Sequence, residues 1–241
     1  MLQDDGLPIF RYFMENRPDV VNAIPASLWG SSPPCTVSSY GATTLYLLAT
    51  AVRCRHLLQD LLDKFPAVIG AIPAEVWAQT LTADAGILAN RSPLFLLAAC
   101  DDGIGIIQGL LDKFPNVLGA IPASAWVLAQ SAEAGEYANK SPLSLMLNLP
   151  MGRNILQSLF AKFPHLALAI RHEVSLSPQL DLVFDIDRLM PAAVGGGAAA
   201  SADHVMPVSF VDLALSHGLF QGQNVSKDVE NDVQPKRFIM H

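Results

Sequence analysis

The chain has 241 residues, 51% of them hydrophobic and only 15% charged, so it holds ample apolar material for a continuous core. A formal charge of −7 and a pI near 5.2 exclude a general affinity for nucleic acid, which needs clustered Lys and Arg to replace counterions. The three cysteines, Cys35, Cys54 and Cys100, are odd in number and lack metal-ligand spacing; Cys54 and Cys100 fall in apolar helical context and read as small core residues in a reducing compartment.

The first residues, Met1 to Asp5, are acidic where a secretory signal would be basic. Two uncharged stretches, 20–52 and 114–132, are interrupted by prolines (Pro25, Pro33 and Pro34 in the first, Pro115 and Pro122 in the second), so neither reads as a membrane span. The expectation is a cytoplasmic chain with no membrane span and no cofactor.

Taken in order, the chain opens on half of a unit that later recurs whole. Setting Pro18 against Pro115 places Ile9, Phe10, Phe13 and Met14 over Ile106, Ile107, Leu110 and Leu111, so residues 1–40 begin on the second helix of a unit. Whole units follow at 41–89, 90–138 and 139–190, with a period of 49 residues. In each, a hydroxyl (Thr43, Ser92, Ser141) is the N-cap, and Ser92 and Ser141 precede a proline suited to the first helical position. Two residues ahead of the cap stand Gly41, Asn90 and Asn139, the types that best tolerate a left-handed turn. The first helix is short and nearly all apolar (Leu94, Leu96, Leu97, Ala98), which predicts burial on most sides.

The second helix carries Leu57, Leu58, Leu61 and Leu62, matched by Ile106, Ile107, Leu110 and Leu111 and by Ile155, Leu156, Leu159 and Phe160. This spacing puts all four on one face. Lys64, Lys113 and Lys162 suit the last turn, and Pro66, Pro115 and Pro164 are expected to stop the helix. About 25 residues then separate that proline from the next cap. An Ile-Pro-Ala-x-x-Trp segment, at 24–29, 72–77 and 121–126, predicts a third short helix with proline in its first turn. The small, polar remainder, 81–90 and 129–139, predicts an exposed finger.

After Pro164 the pattern decays, with Arg171 standing where the proline of that segment should be. An Ala/Gly run at 192–202 carries no core information, and 206–218 echoes the first helix, so 206–241 reads as a divergent capping repeat and tail following a repeat array over 1–205.

The Gly/Asn-x-Ser/Thr-Pro/Thr-Leu pattern, at Gly41 with Thr43-Thr44-Leu45, Asn90 with Ser92-Pro93-Leu94, and Asn139 with Ser141-Pro142-Leu143, followed by an aliphatic second helix, resembles the ankyrin repeat. The resemblance covers roughly 9–170. The period departs from the family's, about 33. Phe95, Tyr46 and Ser144 stand where the family has His, and Phe-Pro ends the second helix in place of Gly-Ala. The extra length falls where ankyrin proteins carry hairpin fingers. A different helical solenoid converging on the same turn chemistry is the alternative. The resemblance implies an all-α, ankyrin-like helical-repeat solenoid with long inter-repeat fingers. Its loop-rich style is also similar to ankyrin proteins that intracellular bacteria inject into host cells, which implies delivery by a signal-peptide-independent route and a host-protein partner.

The functional expectation is therefore a monomeric protein-protein interaction scaffold, not an enzyme. The candidate contact residues are Asp84, Glu133, Glu136 and Tyr137, which should lie near finger tips. Trp29, Trp77 and Trp126 share one repeat position; they form either an aromatic ladder for a partner or a packing element between finger and second helix, and repetition favours packing. Cys54 and His56 are two apart on a helix and point to different sides, which argues against a Cys–His nucleophile. Alternative readings are an enzyme housed in 171–205, carried by Asp181, Asp185, Asp187 and His204, and a self-assembling structural repeat.

Overall fold

The computed structural model describes residues 6–31, 41–176 and 186–190, all within the first of two units, residues 1–198. The described residues are all-α. Cys35, Asp181, Asp185, the Ala/Gly run, His204 and the proposed capping repeat lie outside them.

The opening half-unit comprises α1 (Gly6–Asn16), α2 (Pro18–Asn22) and α3 (Ala26–Trp29). The next unit comprises α4 (Thr44–Thr50), α5 (Val52–Lys64), α6 (Pro66–Gly70) and α7 (Ala74–Ala78), then a 3-10 segment, Ala83–Leu88. The pattern recurs as α8 (Pro93–Ala98), α9 (Asp101–Lys113), α10 (Pro115–Ala120) and α11 (Ala123–Val127), with a 3-10 turn at Gly135–Tyr137. It ends with α12 (Pro142–Leu147), α13 (Pro150–Lys162) and α14 (Pro164–Ser175), and a short helix at 186–189.

The N-caps form as the sequence implies. The hydroxyl oxygens of Thr43, Ser92 and Ser141 accept from the backbone N–H of Tyr46, Phe95 and Ser144 at 3.1, 3.1 and 3.2 Å. Ser144 returns the bond by accepting from the Ser141 N–H at 2.8 Å, which completes a capping box. Gly41, Asn90 and Asn139 all take positive φ, at 77°, 64° and 58°. The second-helix stripes are buried in full: Leu57, Leu58, Leu61 and Leu62, and their counterparts in α9 and α13. In α1 the stripe is incomplete: Met14 is buried, Phe10 and Phe13 pack against the core, but Ile9 is 58% exposed.

The prolines after the second helix do more than stop it. A proline disfavours the α region for the residue before it, so Phe65, Phe114 and Phe163 leave the helix at φ −128°, −136° and −129°. The proline then sits at the first position of a new helix, where its missing donor costs nothing. The intervening segment therefore holds two short helices rather than one. Pro25, Pro73 and Pro122 are N-caps with extended backbone, ψ 140°, 146° and 139°, not first-turn residues. In α14 the two short helices are fused into one of 12 residues. Arg171 at the position of Pro122 removes the break, and its guanidinium grips Asp187 through Nε at 2.7 Å and Nη2 at 3.3 Å.

Equivalent helices pack on one another: α4 on α8 and α8 on α12, α5 on α9 and α9 on α13. One apolar cluster runs through these rows from Met14 to Met190. The same contacts recur between successive units. Lys113 Nζ donates to the Leu62 carbonyl at 3.1 Å, and Lys162 Nζ to the Leu111 carbonyl at 3.3 Å. Gly103 and Gly152 let α9 and α13 cross the preceding first helix, since a Cβ there would lie 2.2 Å from the Leu97 carbonyl oxygen and 2.3 Å from that of Met146. No described helix is long and apolar enough to cross a membrane.

Candidate functional site

The fingers are built on a backbone closure at their base. In the first, the Leu81 N–H donates to the Arg91 carbonyl at 3.1 Å, and the Asn90 N–H returns to the Leu81 carbonyl at 3.4 Å. In the second, Gln130 N–H donates to the Lys140 carbonyl at 2.9 Å, and Asn139 N–H to the Gln130 carbonyl at 3.2 Å. Positive φ at Asn90 and Asn139 turns the chain from this closure into the following N-cap. Gly86 and Gly135, at φ 58° and 65°, make the turns further out. Both would have open space around a Cβ, so it is backbone conformation and not crowding that favours glycine there.

The two closures rest on different side chains. Leu81 packs with Ala42, Tyr46 and Leu47 in a small satellite core. Gln130, at the matching position, is buried to 2% and donates from Nε2 to the Asn90 carbonyl at 3.1 Å, linking one finger to the previous one. Its Oε1 is buried with no partner.

Of the residues expected to meet a partner, Asp84 and Glu133 occupy equivalent places in the two fingers and are exposed, as is Glu136. Tyr137 is placed differently. It is half-buried, its ring edge-on to Phe95 of α8 at 5.7 Å and 79°. The Arg91 guanidinium lies 5.2 Å from the ring centroid and the Lys140 ammonium 5.9 Å. Burial first, then the Glu136 carboxylate, pushes the Tyr137 phenol above its ordinary range, with Arg91 opposing. Tyr137 thus anchors the second finger onto the previous first helix, and the residues it brings together, Arg91 and Lys140, were missed in the sequence reading. They share one repeat position, immediately before the caps Ser92 and Ser141, with Ala42 in the first unit.

The tryptophans are core residues: Trp29, Trp77 and Trp126 are 2%, 1% and 0% exposed. Each leaves its indole N–H buried without a partner. Cys54 is buried, and burial raises its thiol pKa, while His56 on the same helix is exposed. Among the described residues no group of three or more His, Cys, Asp and Glu side chains is placed to hold a metal ion. Of the four residues of the alternative site in 171–205, Asp187 alone is described, and it is paired with Arg171. A cleft of about 580 Å³ lies between α1 and α5, lined by Pro8, Arg11, Tyr12, Glu15, Arg53, His56 and Leu57. Its titratable lining is Arg11, Tyr12, Glu15, Arg53 and His56.

No protein-family model, no curated protein and no solved structure matches the chain.

Proposed function

We propose that the chain is a protein-binding scaffold, an ankyrin-like stack of helical units that presents its fingers to another protein. The observation that carries this is a division of labour between positions. The framework contacts are repeated residue for residue: a hydroxyl cap and a crossing glycine within each of the last two units, and a lysine donating to a carbonyl of the unit before. The fingers differ from unit to unit, with Leu81 against Gln130 at the buried base, Asp84 against Glu133 on the exposed part, and Leu88 against the half-buried Tyr137 beyond them. A stacked core preorganises such surfaces, so little ordering entropy is lost on binding. By the likeness to injected bacterial ankyrin proteins, the partner is a protein of a host cell.

The test is site-specific photocrosslinking in host-cell lysate. A photoreactive side chain at Asp84 or Glu133 should capture a discrete partner. The control is Gly105 on α9, which is exposed and has open space around a Cβ. Equal capture from Gly105, or none from either finger, overturns the reading.

A further inference from the structure

Most cations among the described residues are committed. Arg17, Lys64, Lys113 and Arg171 pair with Asp19, Asp60, Asp63 and Asp187. Arg55, Arg153 and Lys162 donate to backbone carbonyls of Ala49, Leu147 and Leu111. Arg91 and Lys140 do neither. Among the described residues they contact no carboxylate within ion-pair distance, although the chain carries 22 acidic residues against 15 Lys and Arg. Both lie within 6 Å of the centroid of the Tyr137 ring. The Nε of Arg91 is buried and has no hydrogen-bond partner.

We infer that Arg91 and Lys140, braced against Tyr137, form the acceptor for a carboxylate side chain of an acidic segment in the partner protein. This rests on the scaffold reading above and names the chemistry of its recognition. The ring holds both cations in place, which reduces the side-chain entropy lost when they bind. A half-buried guanidinium presents a planar fork suited to a carboxylate, and the lysine adds a second charge from the next unit. The ligand is taken as a protein segment, following the scaffold reading; Lys140 is exposed, Arg91 is half-buried, and neither lines the α1–α5 cleft. A nucleic acid is the competing ligand, and two cations are few beside the several phosphate contacts that give such binding its strength. Glu136, Arg91 and Cys100 act electrostatically on Tyr137, and Arg91 also acts on Tyr46. The exposed Glu136 carboxylate opposes an acidic ligand, so the preference depends on the two cations outweighing it.

The test measures fluorescence polarisation of a labelled Glu-rich nonapeptide and of its Glu→Gln counterpart on the full chain at low salt. The Glu peptide should bind roughly two- to fivefold more tightly, as expected for one charge pair at a partly exposed site. The Arg91→Gln/Lys140→Gln double variant should abolish the preference, and Arg91→Lys should retain part of it. Arg11→Gln, a cation in the α1–α5 cleft, should leave it unchanged. Circular dichroism of each variant reports whether it folds. No preference in the wild type, a preference that survives in the folded double variant, or tighter binding of an oligothymidylate through the same residues would each overturn the inference. If the photocrosslinked partner is still captured through the fingers by the double variant, this site fails while the scaffold reading stands. If no partner is captured at all, the scaffold reading fails first.

Discussion

The ring of Phe163 occupies the space a side chain on Gly119 would need: a Cβ there would lie 2.6 to 2.8 Å from three of its ring atoms. Phe114 stands in the same relation to Gly70 one unit earlier, with the nearest ring atom at 2.7 Å. The aromatic residues that break α9 and α13 therefore seat themselves on the short helix of the unit before. Gly119→Ala sets two effects against each other. Helix propensity favours Ala by up to about 1 kcal/mol, while overpacking a rigid ring costs about 1–3 kcal/mol. The net expectation is destabilisation by about 1–2 kcal/mol in urea unfolding, relieved when Phe163→Leu is added. Gly105→Ala, where a Cβ meets nothing within 4 Å, should instead stabilise the chain by roughly 0.5–1 kcal/mol. If both alanines shift the midpoint in the same direction, the packing account is wrong.

Arg171 shows how far a sequence reading reaches. Its place in the repeat was legible as a missing proline, but the consequence was not drawn: without the break at Pro122, two helices become one. Arg171→Pro should reverse this. It places a proline inside α14, removing a backbone bond and clashing with the preceding turn, at a cost of about 3 kcal/mol or more. It also releases the Asp187 carboxylate from its two guanidinium bonds. Far-UV circular dichroism should show lost helicity together with a lower melting temperature. An unchanged spectrum would mean that α14 does not depend on the residue type at 171.

The framework could be read from the sequence because its causes are local. A cap lies three residues from the N–H it satisfies, a stripe repeats within one helix, and positive φ follows from Asn and Gly at the turn. The finger surface could not be read the same way. Tyr137 was expected at an exposed tip, yet its ring meets Phe95, a residue of another element whose counterparts are Tyr46 and Ser144. No periodicity announces a contact made in only one unit. The basic pair did leave a trace: Arg91 and Lys140 are the same repeat position with the same charge, just outside a cap whose chemistry drew attention away from it.

The caps themselves differ in a testable way. Ser92 satisfies one N–H, that of Phe95, whereas Ser141 and Ser144 satisfy each other's backbone donors in a capping box. Ser92→Ala should cost about 1 kcal/mol. Ser141→Ala should cost at least as much, up to about 2 kcal/mol, because Ser141, like Ser92, is buried and water cannot replace its oxygen. Ser144→Ala leaves the Ser141 hydroxyl bond intact but removes the acceptor for the Ser141 N–H, so its effect should fall between those two. Chemical denaturation of the three variants fixes the order; Ser141→Ala proving milder than Ser92→Ala would contradict the box.

Asp63 links the second helices of adjoining units and gives the stack a pH dependence of known sign. The Gln59 amide donates to its carboxylate at 2.9 Å and the Lys113 ammonium lies 2.6 Å away. The amide bond first, then the lysine, holds the carboxyl below its ordinary range. A carboxyl that loses its proton more easily when folded stabilises the fold above the unfolded value, near about 3.9. That contribution disappears as pH falls through the lowered folded value. Both partners are about half exposed, at 52% for Asp63 and 40% for Lys113, so solvent screens the pair. The effect should be below about 1 kcal/mol and shrink with added salt. Asp63→Asn should therefore lower stability at pH 7, with the gap to the wild type narrowing as pH falls below about 3.9 and closing only below the lowered folded value. Lys113→Met should lower stability at pH 7 and at pH 3, because Lys113 also donates to the Leu62 carbonyl, which does not titrate. A constant gap between wild type and Asp63→Asn from pH 7 to pH 3 would show that the carboxylate's charge is not what joins the two helices.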